Sequence, residues 1–425
     1  MANDDNEDEA YQNPESSSDP TETGHCGSST NNPNKDLIDA PASGDDSSSN
    51  KIPIHHIHKW NWLHIFYLST FSIFGITIRA FMGRFFGGDC DADATVPIND
   101  WLTPISRHVC VTTSGRTDQY GGALFIDLPA NMFGSLIMGF VTGHSTDWPV
   151  LAVLKHDHPL QNEDGLHLGL KTALCGTITT FSSWNAQMVL MMDGTGTVLG
   201  SQVIAALFGY VLGLQVSISC FRAGRTLAAW FHLKNNPHIF DSVRFIAEDH
   251  TSVRMAETTQ LKGTHLWNAR ILPSILASAL FILFVLGDFY WGIEYYRQLW
   301  ISCLFGPFGT IIRWKLSTFN GKMNQWIPIG TFISNFVASA ISAFISAIVI
   351  SSTLNTSFWT LHSLKAISLG FAGCLSTVSS MVKEVVEITD KNPHFDKKAF
   401  MYSYGTMISC CLIGLLFYSP VVRFV

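Results

Sequence analysis

Apolar positions along this chain gather into nine long runs separated by polar connections, after an opening stretch that has no apolar run. A bilayer core of roughly 30 Å needs about 20 mostly apolar residues per helix. Runs that satisfy this lie near 61–81, 121–143, 168–191, 197–221, 269–287, 293–314, 326–351, 364–387 and 400–422. The pattern predicts an all-α polytopic membrane protein with nine transmembrane helices. Gly, Ser and Thr are dense in several runs, as between Gly200 and Gly213 and between Ser334 and Ser346. Small residues of this kind let helices approach closely in lipid, and packing alone also accounts for them.

The runs repeat. The first and sixth both end in Gly-x-x-x-Arg, at Gly75 to Arg79 and Gly309 to Arg313. The second and seventh each carry an asparagine followed by small residues, at Asn131 and Asn335. The third and eighth each carry a glycine followed by hydroxyl residues, Gly176-Thr-Ile-Thr-Thr-Phe-Ser-Ser-Trp184 and Gly373-Cys-Leu-Ser-Thr-Val-Ser-Ser-Met381. Three motifs in the same order twice over define two four-helix units. The extra crossing at 269–287 turns the second unit over, giving two inverted repeats whose sites are expected near the midplane where they meet. The resulting division is a tail at 1–50, a first repeat at 51–225, a cytoplasmic loop at 226–266, a linker helix at 267–290 and a second repeat at 291–425.

Charge changes this picture at one end only. Residues 1–50 hold 12 of the 33 acidic side chains and a single basic one, Lys35. So polar a segment buries too little apolar area to order itself and is expected to be disordered. It also lacks the basic start and hydrophobic run of a secretory signal. Lys and Arg favour the connections that are cytoplasmic when the N-terminus is inside, notably Arg222, Arg225, Lys234, Arg244, Arg254 and Lys262. The first outer loop, with Arg84, Arg107 and Arg116, is the exception. That loop also holds Cys90 and Cys110, a candidate disulfide, and the sequon at Asn355 falls in another outer loop. Nine cysteines without a CxxC pair argue against a zinc or thioredoxin-type centre.

The midplane residues narrow the chemistry. Gly followed by four or five hydroxyls within eight residues is poor material for a continuous helix. Released backbone is tolerated in a membrane only when buried in protein or lining a cavity. Two facing breaks would present carbonyl oxygens to a common point, which suits a small hard cation such as Na⁺; a kinked packing helix is the plainer alternative. An Asn amide at membrane depth must find a partner or line a wet path, and its two donors suit anion dehydration. Phe181 follows the first hydroxyl run directly, and the edge of its ring is electropositive. No Gly-rich phosphate loop, HExxH, Gly-x-Ser-x-Gly or cluster of intramembrane acids points to an enzyme or a nucleotide-driven pump.

These motifs resemble the fluoride export channels, whose single-unit bacterial members assemble as antiparallel dimers and whose eukaryotic relatives fuse two units through a linker helix. The signatures are the Arg79 and Arg313 motifs, Gly330-Thr-Phe-Ile-Ser-Asn335, and the run from Gly176 to Trp184; together they cover roughly residues 60–422. The resemblance implies that Asn131 and Asn335 are pore-lining donors and that Phe181 offers its ring edge to the anion. Ser183, Ser380, Thr331, Thr180 and Thr377 would supply hydroxyls, with Arg79 and Arg313 structural beside the pore. Carbonyls of Gly176, Thr179, Gly373 and Ser376 would hold a structural Na⁺. The implied protein is a passive fluoride channel of the plasma membrane, N-terminus cytoplasmic and C-terminus extracellular. It would be monomeric, its partners the bilayer and the fluoride ion, with no nucleic acid. The repeats depart from one another: Asp127 replaces the Thr331 position in the first, while Val378 and Met381 replace both aromatics in the second. One conducting and one degenerate path is the expectation. An ion-coupled carrier for another small anion or metabolite, or a scaffold with an acidic tail, remains the alternative.

Overall fold

A computed structural model describes residues 62–86, 124–143, 151–154, 158–193, 200–235, 294–321, 326–351, 357–391 and 397–424. The acidic tail, Cys90, Cys110, Asn355 and the linker helix at 267–290 lie outside these residues. Among the described residues the long elements are all helical, and five helices are long and apolar enough to cross a membrane.

In the first repeat, α1 is Trp62–Phe86 and α2 is Leu128–Thr142. The third helix comes in two pieces. Asp164–Leu168, a wide π-helical stretch Gly169–Cys175 and Gly176–Ile178 together form α3, and Ser182–Asp193 forms α4. Helix α5 is Gly200–Asn235, so it overruns the expected boundary at 225 and claims the start of the segment read as a loop. Its last turns include Leu227, Ala228, Ala229, Trp230 and Phe231, good helix-compatible residues with no Gly or Pro to stop them.

The second repeat follows the same plan. Helix α6 is Glu294–Ser317 and α7 is Ile329–Ser351. Phe358–Ala366, a π-helical stretch Ile367–Ala372 and Gly373–Leu375 form α8, after which come α9, Ser379–Lys391, and α10, Lys397–Phe424. Each third helix therefore breaks over three residues, 179–181 and 376–378, at the same point of its motif. The π-helical widening just before each break matches the Gly and hydroxyl content there, since both weaken the regular ladder.

The repeats interlock. Helices α1 and α6 pack on one another, α2 packs on α5, and α7 on α10. The half-helices after the breaks cross over: α4 packs against α7 and α10 of the second repeat, and α9 against α2 and α5 of the first. Two ion pairs establish the inversion without the linker. Arg225, in α5, bonds Asp390 at the end of α9, and Arg423, in α10, bonds Asp193 at the end of α4. Helix α5 starts shortly after Asp193 and reaches Arg225 about 37 Å further on, at 1.5 Å per residue. Asp390 is thus a membrane thickness away from Asp193. Half-helices α4 and α9 start together at the breaks and end on opposite faces.

Lipid-facing positions are apolar, including Ile204, Phe208, Leu412 and Leu416. The interior is unusually polar, with Arg79, Asn131, Thr179, Ser334, Asn335 and Ser376 all buried. That inversion of the usual soluble pattern follows from having lipid outside.

Candidate functional site

The breaks meet at the centre, and each is closed by the other. At the start of α4, the backbone N–H groups of Phe181 and Ser182 donate to Ser376 Oγ at 3.2 and 3.0 Å. At the start of α9, those of Val378 and Ser379 donate to Thr179 Oγ1 at 3.3 and 3.2 Å. Helix N-termini normally draw a hydroxyl cap from the residue just before them. Here such local caps are present, Thr180 Oγ1 accepting the Ser183 N–H at 3.4 Å and Thr377 Oγ1 the Ser380 N–H at 3.3 Å, and the opposite repeat adds a second cap to each.

The two asparagines act within their own repeats. Asn131 Nδ2 donates to the Thr180 carbonyl at 3.2 Å, while its Oδ1 accepts the Thr180 N–H at 2.8 Å. Asn335 does the same with Thr377, at 3.1 and 2.8 Å. Each amide thereby completes a peptide group that the break has taken out of the helical ladder. The second hydrogen of the Asn335 NH₂ is directed at Met381 Sδ at 4.0 Å, while among the described residues that of Asn131 remains for another acceptor.

The arginines cross as the caps do. Arg79 Nη1 donates to the Gly373 carbonyl at 3.0 Å and its Nη2 to that of Leu369. Arg313 Nη1 donates to Gly176 at 2.7 Å and to Ser376 at 2.8 Å, and its Nη2 to Thr172. The Gly176 and Gly373 carbonyls sit at the ends of α3 and α8, where a helix leaves acceptors unpaired and carries partial negative charge. Thr172 and Leu369 lie in the π-helical stretches and Ser376 in the break. Gly176 and Gly373 are required by space. A Cβ there would lie 2.3 Å from Arg313 Nη2 and 2.7 Å from Arg79 Nη2.

The remaining motif hydroxyls form a dense cluster. Thr179 Oγ1 lies 3.3 Å from Thr377 Oγ1, and Thr180 Oγ1 lies 3.3 Å from Ser376 Oγ. Ser183 Oγ donates to Asp127 at 2.5 Å, and Thr331 Oγ1 to Glu384 at 2.6 Å. Glu384 also accepts from Asn320 at 2.9 Å and Tyr402 at 2.7 Å. Ser380 Oγ accepts from Thr377 at 3.4 Å. Phe181 is fully buried in a cluster with Val378, Met381 and Tyr402, its ring edge-on to Trp184 at 5.3 Å.

A cavity of about 230 Å³ opens beside Arg79, Thr180, Ser183 and Gly373, and is lined on its other sides by Gln298, Ser346, Lys365 and Ser368. Lys365 makes no hydrogen bond or ion pair among the described residues, and Arg79 Nε has no acceptor. The space offers two cationic groups and several hydroxyls to a small anion. Lys365, Asn320 and Tyr402 escaped the sequence reading because they have no counterpart in the other repeat's motifs. The unequal positions Asp127 and Glu384 were visible as acids but not as partners of Ser183 and Thr331.

The carbonyl set also bears on a cation. The groups are neutral oxygens, each with a second lone pair, which fits a hard ion such as Na⁺. Two guanidinium charges beside them weaken its binding relative to a cage of carbonyls alone.

A family described as "CrcB-like protein, Camphor Resistance (CrcB)" matches residues 66–221 and 300–418, most of both repeats. "Fluoride export protein 1" of Candida albicans is 24% identical over 298 residues, 68% of this chain and 69% of that protein. "Fluoride export protein 1" of Saccharomyces cerevisiae is 31% identical over 154 residues, 33% of this chain and 38% of that protein. "Fluoride-specific ion channel FluC 2" of Staphylococcus haemolyticus is 29% identical over 114 residues, 26% of this chain but 83% of its own length. A bacterial protein matched nearly whole by a quarter of this chain agrees with a duplicated unit. No solved structure matches the chain.

Asn131→Ala and Asn335→Ala should each destabilise the fold to a similar degree. Each strands one buried N–H and one carbonyl, at about 1–3 kcal/mol per group. Denaturation followed by tryptophan fluorescence measures both, and an undiminished stability in either variant contradicts the bracing role.

Proposed function

Because the chain belongs to the CrcB-like family, we propose that it is a passive fluoride-selective channel exporting F⁻ from the cytoplasm, and not an enzyme. The observation that supports this best is the cavity beside the breaks, where Arg79 and Lys365 meet Thr180, Ser183 and Ser368 between the packed helices. Positive charge in a low-dielectric cleft concentrates anions. Neutral hydroxyl and amide donors can then replace water around the ion without trapping it. Proteins similar to this chain carry fluoride export or fluoride-specific ion channel in their names.

The driving force is electrical. HF is neutral, crosses lipid and ionises in a near-neutral cytosol. A negative-inside potential then drives F⁻ outward with about 2.3 kcal/mol per charge per 100 mV. A plasma-membrane location, a cytoplasmic N-terminus, an extracellular C-terminus and a monomeric state follow from this role and from both repeats being in one chain. A structural Na⁺, where bound, would be held by the carbonyls of Gly176, Thr179, Gly373 and Ser376, and would add positive charge where the repeats meet.

The two paths are unequal in their linings, and we place conduction in one of them. Both asparagines brace backbone, so their removal does not separate the paths. Ser183 and Ser380 do separate them, because among the described residues the Ser183 hydroxyl donates a hydrogen bond to Asp127 while that of Ser380 is bound only as an acceptor.

Purified protein in liposomes should release F⁻ on collapse of the electrical gradient, without a coupling ion and with little Cl⁻ release. A requirement for a coupling gradient points to a carrier instead. Ser183→Ala and Ser380→Ala should reduce F⁻ efflux unequally, and equal losses contradict a single path. Lys365→Met should lower efflux at low fluoride roughly three- to ten-fold, with the deficit shrinking as fluoride or ionic strength rises.

A further inference from the structure

The half-helices that carry the two hydroxyl runs are fixed at both ends by the opposite repeat. At their starts, Ser376 caps α4 and Thr179 caps α9. At their ends, Asp193 and Asp390 stand at equal separations from Gly176 and Gly373 and so are equivalent positions of the two repeats. Each receives an arginine from the fourth helix of the other repeat. Arg423 Nη2 lies 2.5 Å from Asp193 Oδ1, and Arg225 Nη1 lies 2.5 Å from Asp390 Oδ2. Neither pair belongs to the motifs that define the family resemblance.

The two pairs differ in setting. The Asp193 side chain is 5% exposed against 59% for Arg423, whereas Asp390 is 47% exposed against 16% for Arg225. Asp193 Oδ2 is buried without a hydrogen-bond partner among the described residues. A carboxylate so placed depends heavily on its one arginine, because removing the partner of a buried charge leaves it uncompensated.

Between cap and ion pair, α4 is a rigid rod only twelve residues long. Phe181 and Ser183 sit at its inner end and Asp193 at its outer end. A shift of one residue along its axis moves the lining by about 1.5 Å. That is enough to alter a path that must tell F⁻ from Cl⁻.

We propose that Asp193–Arg423 and Asp390–Arg225 are positioning pairs of the permeation path, setting the height of α4 and α9 in the membrane and thereby the anion selectivity. The proposal rests on the channel reading above. Its action is through placement, since none of the four side chains lines the cavity.

The test is the F⁻ to Cl⁻ flux ratio of full-length protein in liposomes for Asp193→Asn, Arg423→Gln and the exchanged pair D193R/R423D. The single variants should lower the ratio at least three-fold, and the exchanged pair should recover most of it. If the folded fraction falls but the ratio of the folded protein is unchanged, the pair is a stabilising contact and the proposal is wrong. In the event that Arg423→Gln fails to fold, Arg423→Lys, which keeps the charge but on a stem of different length and shape, should fold and still shift the ratio; an unshifted ratio overturns the proposal. A wild-type protein that passes no F⁻ rejects the channel reading itself, a separate failure from normal flux that ignores these four residues.

Discussion

A helix that breaks at the centre of a bilayer leaves peptide groups where no water can reach them, and the whole architecture follows from how those groups are satisfied. Each break here is completed from two directions. The asparagine of the same repeat takes one peptide group, and a hydroxyl of the other repeat caps the half-helix beyond it. The carbonyls left behind go to an arginine from the other repeat. Neither four-helix unit is complete alone, because each half-helix start has two N–H groups, and each broken helix two carbonyls, whose partners come from the other repeat. Antiparallel pairing is therefore a condition of folding, which a chain carrying both units meets without a concentration dependence.

Arginine suits this crossing better than lysine would. One guanidinium spans carbonyls on successive turns of α8, from Leu369 to Gly373, and the other spans Thr172, Gly176 and Ser376. A fixed planar fork can do this, while an ammonium is a point charge on a flexible stem. The glycines beneath are the other half of the arrangement, since any Cβ would push the fork away. Two carboxylates, Asp127 buried and Glu384 half-buried, follow the same logic in reverse. Asp127 and Glu384 face neutral donors, and the stronger network around Glu384 gathers Thr331, Asn320 and Tyr402.

Much of this was legible in the sequence, because symmetry repeats a motif and repetition exposes it. Gly176 and Gly373, the two arginines and the two asparagines announced themselves as pairs, and the break was predictable from residues that cannot sustain a helix. What was not legible is direction. Sequence shows that Asn131 and the Thr179–Thr180 run are both polar at membrane depth, but only the fold shows that Asn131 serves its own repeat while Thr179 serves the other. Asp193 and Asp390 did repeat at the same offset, yet a lone acid at a helix end resembles ordinary surface. Their arginines sit on different helices, so no spacing rule links them. Lys365 had no signal at all, since its role depends on a cavity that two repeats build together.

Asymmetry is tolerated because structure and conduction draw on different residues. The bracing set, meaning asparagine, cap and arginine, is kept in both repeats, and changing either copy would unfold the centre. The residues flanking that set have drifted: Val378 and Met381 stand where Phe181 and Trp184 do in the first repeat, and Asp127 stands where Thr331 does in the second. A bacterial-style dimer of one sequence must change both paths at once. Fusion removes that coupling, so one path can lose its aromatic edge while the other keeps function. The cavity combines Thr180 and Ser183 of the first repeat with Lys365 and Ser368 of the second. A cavity lined by both repeats thus lets its lining diverge while the crossed core stays fixed.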